Sequence, residues 1–176
     1  QICETDPLSA QTAVSDFADY LRGNLESLAA RRLVYFYEEL EHVEAYLALE
    51  QLRFGERLRV EYDISVRGFI LPPLTVQPLV ENAVQHGLMQ KPKGGTVRIS
   101  SAQTADALVV AVADDGVGCL PSSAAAGEGA GRQHVGIENV RTRLAYLCGG
   151  TLEVESKPGA GTTATIKIPI RKEITP

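Results

Sequence analysis

No apolar run in this 176-residue sequence is long enough to cross a bilayer. The two longest, Phe69–Val80 and Ala107–Ala113, are short, and three prolines interrupt the first. The sequence reads as that of a soluble chain. Cysteine is scarce: Cys3, Cys119 and Cys148 are odd in number and lack the spacing of a metal site. They fit a reducing compartment and read as small apolar residues. Positive charge is also in short supply, with 17 Lys and Arg against 22 Asp and Glu for a net charge of −5. The cations are scattered rather than striped, which argues against an electrostatic nucleic-acid footprint. No repeat period and no signal peptide occur, and the first residue is Gln1 rather than Met, so a fragment of a longer protein is expected. The length allows one domain plus a helical extension.

Two amphipathic helices are expected first. From Asp6-Pro7 to about Arg32, Leu8, Val14, Phe17, Leu21, Leu25 and Leu28 fall mostly at steps of three and four, with Asp6 as cap and Pro7 at the first helical position. From about Glu38 to Arg53, Leu40, Val43 and Leu47 form a second stripe, and Gly55 offers a C-cap. The period then changes to two, with Leu58, Val60, Tyr62 and Ile64 alternating with polar neighbours, so a sheet begins here. Pro72-Pro73 is expected to open a helix that holds Val76, Leu79, Val80, Ala83 and Val84. Strands follow over Thr96–Ser101 and Ala107–Ala113, a mobile loop over Pro121–Gln133, a helix over Val135–Leu147, and strands over Thr151–Ser156 and Gly161–Pro169. Strands and helices mix without regular β-α-β alternation, which predicts an α+β two-layer sandwich. The expected division is a helical segment over residues 1–55 and a domain over residues 56–172.

Asn82 and His86 are four apart and share a helical face, whereas Glu81 points about 100° away. An Asn amide oxygen can serve Mg²⁺ when phosphates and water supply the other ligands. Asp114-Asp115-Gly116-Val117-Gly118 ends an apolar strand. A carboxylate there can accept a hydrogen bond from a purine amine while bare backbone at Gly116 and Gly118 crowds the ring. Gly129, Gly131 and Gly136 precede or open the next helix, a ready cradle for phosphate. Thr162, in Gly159-Ala-Gly161-Thr162-Thr163, places a hydroxyl where it can support the purine-binding aspartate.

The helix with Asn82 and the Asp114 turn, in this order, resemble the N box and D-x-G-x-G box of the ATPase superfamily that holds gyrase, Hsp90, MutL and the histidine kinases. Residues from about 7 to 170 look like the catalytic half of a LytS-type sensor histidine kinase. The motifs Tyr46-Leu-Ala-Leu-Glu-Gln-Leu-Arg-Phe-Gly55, Gln77-Pro-Leu-Val-Glu-Asn-Ala-Val-Gln-His-Gly87, Asp114-Asp-Gly-Val-Gly118, Gly136-Ile-Glu-Asn-Val-Arg141 and Gly159-Ala-Gly-Thr162 carry this resemblance. It implies the Bergerat fold with ATP and Mg²⁺ between sheet and helices. In that fold Asn82 would be on the metal, Asp114 on the adenine amine, Gly116 and Gly118 along the base, and Gly136 near the phosphates. Residues 119–133 would form an ATP lid. It further implies a cytoplasmic domain of a membrane-anchored bacterial sensor, a homodimer, and two protein partners: the upstream phosphoacceptor helix and a response regulator of the LytTR type.

Three departures from the family pattern stand out. No stretch matches the phosphoacceptor motif, and His42, between Glu41 and Val43, sits in a different setting. No catalytic histidine is therefore assigned in this chain. Gln85 stands where the family usually has lysine, which leaves Arg98, Lys91 or Lys93 as candidates for the missing charge. His134 stands where the first glycine of the phosphate run is usual. Two other readings compete: an ATP-binding scaffold of the same fold that transfers no phosphate, and a hydrolase. The hydrolase needs a glutamate one turn before the metal-binding Asn, and that position is Pro78.

Overall fold

The computed structural model describes residues 33–118 and 131–170, with backbone alone over 131–135. In chain order it has β1 (Val34–Tyr35), α1 (Phe36–Phe54), β2 (Leu58–Ile64), β3 (Ile70–Leu71) and α2 (Gln77–Asn82), which continues into a π-helical turn over Ala83–Leu88. Then come β4 (Gly95–Gln103), β5 (Ala107–Asp114), α3 (Gly131–Cys148), β6 (Thr151–Lys157) and β7 (Gly161–Pro169). The expected helix over Asp6–Arg32 lies outside the described residues, as do Cys3, Cys119 and residues 121–130 of the expected loop.

Five strands form one mixed sheet in the order β2-β4-β5-β7-β6, and β1 pairs with β3 in a short separate ribbon. Only β2 runs parallel to its neighbour, β4; the other pairs in the large sheet are antiparallel. The two-residue period explains the face that is covered. Val97, Ile99 and Ser101 of β4, Val110 and Val112 of β5, and Ala164, Ile166 and Ile168 of β7 are all buried. Against them pack Leu40, Val43 and Leu47 of α1, Leu79 and Val80 of α2, and Val140 and Leu144 of α3, in one continuous cluster. Burying each aliphatic side chain contributes about 1.5–3 kcal/mol, whereas an exposed pair such as Arg98–Glu61 contributes about 0–1 kcal/mol. The apolar face therefore holds the layers together, as the α+β two-layer reading expects.

Three element starts differ from the sequence reading. Helix α1 begins at Phe36 rather than Glu38, because the Glu38 carboxylate turns back to accept the Tyr35 N–H at 2.8 Å and closes the first turn. Pro72-Pro73 does not open α2. Residues 73–76 bend, and the helix starts at Gln77 with Pro78 in its first turn, where a missing N–H costs nothing. Helix α3 begins at Gly131, so Gly131–Gln133 form its first turn instead of the end of a loop. Cys148 is half-buried and its thiol donates to the Leu144 carbonyl, in keeping with its reading as a small packing residue.

Candidate functional site

The period of β5 decides which of the two adjacent aspartates faces inward. Val110 and Val112 lie on the covered face, so Asp114 continues that face at the strand end with 9% of its surface exposed, and Asp115 is exposed. Asp115 is used in the sheet itself. Its Oδ1 accepts the Thr96 N–H at 2.9 Å, its own N–H reaches the Thr96 carbonyl at 3.3 Å, and its carbonyl accepts from Lys91 Nζ at 2.6 Å.

Asp114 lies in a ring of backbone. Its Oδ1 accepts the Gly116 N–H at 2.8 Å, and the backbone N–H of Thr162, its register partner on β7, also bonds it. Burial pushes the Asp114 carboxyl above the ordinary aspartate range and Asp115 adds to that, while the Gly116 and Thr162 bonds and Lys91 pull it back. The Thr162 hydroxyl pairs with Ser156 Oγ at 2.8 Å, while the Thr162 main chain helps to hold the Asp114 carboxyl down.

Three glycines make this ring possible. A Cβ on Gly87 would stand 2.5 Å from Asp114 Oδ1, one on Gly116 would run into the backbone of Gly87, and one on Gly161 would run into the Asp114 carbonyl. The end of the π turn is thereby pressed onto the D-x-G-x-G turn, and the Gly87 carbonyl accepts the Val117 N–H at 3.2 Å. Gly118 turns the chain at φ 61° against the Lys157 carbonyl, and the Gly159 N–H bonds the Val117 carbonyl at 2.7 Å. The turns after β5 and β6 are thus stitched together around one inward carboxylate.

Asn82 closes α2 and is half-buried; His86 and Gln85 lie in the π turn and are exposed. In that turn the Met89 N–H reaches back to the Val84 carbonyl at 2.9 Å, the wider spacing that often accompanies functional positions. Glu81 is held at its Oε1 by Gln77 Nε2 at 2.8 Å, and it adds to the upward push that burial puts on the Glu50 carboxyl of α1. It is therefore turned toward α1, in line with the sequence expectation. Gly131 starts α3, and Gly136 lies in the second turn of α3 rather than ahead of it, with open space where a Cβ would stand.

Two of the three cations considered for the charge missing at Gln85 are engaged elsewhere. Arg98 binds Glu61 at 2.6 Å on the exposed side of the sheet, and Lys91 bonds Asp115. Among the described residues no group of three or more His, Cys, Asp or Glu side chains is arranged to hold a metal ion, and no helix is long and apolar enough to cross a membrane. A single half-buried Asn oxygen suits a cation that brings its remaining ligands with it as phosphate and water.

Sequence reasoning passed over Glu39 and Arg143, which hold the entry to α2, and gave Gly87 and Gly161 no individual role. For Glu39 a signal was present: it falls on the stripe of Phe36, Leu40 and Val43, where a carboxylate has no business unless it is bonded.

Comparison with known proteins bears on the family and the fold. Residues 73–172 match the family described as histidine kinase-, DNA gyrase B- and HSP90-like ATPase, and residues 1–58 match a histidine kinase family. YwpD of Bacillus subtilis is 35% identical over 90% of this chain and 58% of its own length. Sensor histidine kinase YpdA of Escherichia coli is 35% identical over 88% of this chain and 28% of its own length. Sensor protein LytS of Streptococcus mutans is 31% identical over 95% and 30% respectively. The chain thus spans 58% of the first of these relatives and less than a third of the other two. Among solved structures, histidine kinase AdeS of Acinetobacter baumannii aligns over 98% of this chain and 86% of its own at 18% identity, with a TM-score of 0.60. The catalytic domain of histidine kinase ThkA aligns over 78% and 95% at 14% identity, with a TM-score of 0.59. These two share the fold.

Proposed function

This chain belongs to the histidine kinase-, DNA gyrase B- and HSP90-like ATPase family, in its LytS-type sensor-kinase branch, and we propose from there how its residues divide the work. Asp114 accepts the exocyclic amine of adenine, and Gly116 and Gly118 let the base lie against backbone. Asn82 offers its amide oxygen to Mg²⁺, which neutralises phosphate charge when bound. His86, Gly131 and Gly136 border the phosphates, and Thr162 steadies Asp114 through its N–H. The observation that carries this reading is the inward carboxylate of Asp114 ringed by Gly87, Gly116 and Gly161, a place for one donor on a flat ring.

The reaction we infer is transfer of the γ-phosphate of ATP to a histidine in an upstream helix, a motif this sequence does not hold. The bond from the β,γ-bridging oxygen to the γ-phosphorus breaks with ADP as the leaving group, a nitrogen–phosphorus bond forms at one imidazole nitrogen, and the proton on the other ring nitrogen passes to a base beside that histidine. The domain contributes positioning and charge stabilisation more than covalent chemistry. The division at residue 55 is proposed as one of function, since α1 packs in the same core as the sheet. The full-length protein is proposed to be a membrane-anchored homodimer with this domain in the cytoplasm and a LytTR-type response regulator as partner.

The reading is tested by titrating the chain with ADP and GDP in Mg²⁺. A carboxylate acceptor pairs with the 6-amine of adenine and leaves the 6-oxo group of guanine opposed, so ADP is expected to bind at least about tenfold more tightly. Equal affinities would remove Asp114 from base recognition. One observation favours a second reading, the scaffold without transfer: Lys91 and Arg98 are committed elsewhere, so neither replaces the charge missing at Gln85. Supplying the upstream histidine helix with labelled ATP separates the two. Acid-labile label on that helix supports transfer, and its absence despite nucleotide binding supports the scaffold.

A further inference from the structure

Glu39 lies in α1 with 2% of its surface exposed, so it touches no substrate. Its carboxylate accepts three successive backbone N–H groups: Leu74 on Oε1, and Thr75 at 2.9 Å and Val76 at 3.0 Å on Oε2. These residues lead directly into α2, whose N-cap, Val76, has no side-chain acceptor of its own. A carboxyl group from another helix therefore supplies the hydrogen-bond acceptors that the start of α2 lacks. On the other side, Arg143 Nη2 of α3 donates to the Leu74 carbonyl at 2.6 Å. Leu74 has φ 54°, a left-handed conformation costly for a leucine, which persists where its surroundings fix it from more than one side.

We propose that Glu39 and Arg143 are positioning residues for the nucleotide site, a clamp from α1 and α3 on Leu74–Val76 that sets where Asn82 stands. The physical reason is the shortness of α2. Six residues and one π turn do not fix their own place, so the two ends do. The far end is pressed on Asp114 through Gly87, and the near end is gripped by Glu39 and Arg143. Asn82 lies between them. Because the grip comes from α1 and α3, nucleotide that fixes α2 also fixes those helices, and the coupling runs both ways. This inference rests on the reading of Asn82 as the Mg²⁺ ligand.

The test is calorimetry of the full chain with ADP, once with Mg²⁺ and once with a chelator, taking the ratio of the two affinities. Asn82→Ala comes first and is expected to abolish the Mg²⁺ increment. If the increment survives, the Asn82 reading fails and the clamp falls with it. Glu39→Gln is expected to cut the increment about tenfold and to change chelator affinity less than about twofold, because a misplaced ligand loses the metal before the base. Arg143→Met, a milder change that keeps much of the stem, is expected to cut it about threefold by the same route. If Glu39→Gln does not fold, Arg143→Met decides alone. An unchanged increment in the folded variants, with Asn82→Ala behaving as stated, overturns the clamp and leaves the site reading standing. Equal losses with and without Mg²⁺ also overturn it, since they mark a role in the fold alone.

Discussion

Gly87 and Asp114 share one volume: the carboxylate at the end of β5 fills the place a side chain on Gly87 would take, 2.5 Å from its Oδ1. Gly87→Ala must therefore push Asp114 off its position or drive the π turn outward. Expected are a stability loss of about 1–3 kcal/mol and a fall in nucleotide affinity of about tenfold or more, read by denaturant melts and calorimetry. Gly116→Ala meets the Gly87 backbone, which yields less than a side chain, and is expected to be the more damaging of the two.

The two neighbouring aspartates separate cleanly by role. Asp115→Ala loses the bond to the Thr96 N–H on an exposed side chain, so stability is expected to drop by about 0.5–1.5 kcal/mol. Nucleotide affinity of the folded variant is expected to stay within about twofold. A thermal melt paired with a titration checks both. A large affinity loss at constant stability would place Asp115 in the site instead.

Acid is expected to weaken nucleotide binding earlier than an ordinary aspartate would allow. Burial raises the Asp114 carboxyl, and a purine amine prefers the ionised form, so affinity falls as pH drops through that raised value. Stability has the opposite sign. The folded state binds this proton more readily than the unfolded chain, so the Asp114 contribution to stability grows on acidification through that window and is lost as pH rises. Titrations from about pH 8 to about pH 5 on the wild-type chain and Asp114→Asn isolate the effect, because the variant has no proton to take up.

Much of this was legible in local patterns. The two-residue period of Leu58, Val60, Tyr62 and Ile64 marks β2, and continuing the period of Val110 and Val112 to Asp114 picks the inward aspartate without any structure. What escaped depends on partners far along the chain. The start of α2 is moved by a carboxylate more than thirty residues upstream, which takes the N–H groups of Leu74–Val76 that a helix opened by Pro72-Pro73 would have arranged differently. Arg98 and Lys91 read as spare charge until Glu61 and Asp115 are seen beside them. Thr162 was read by its hydroxyl, the visible chemistry of a threonine, whereas its register opposite Asp114 brings the backbone N–H into use.

The nucleotide affinity of Asp114→Asn tests base recognition by this carboxylate most directly. The amide keeps the shape and one oxygen but loses a charge-assisted hydrogen bond, so calorimetry with ADP and Mg²⁺ is expected to show binding weaker by about 1.5–3 kcal/mol. Wild-type affinity in a folded Asp114→Asn variant would contradict it.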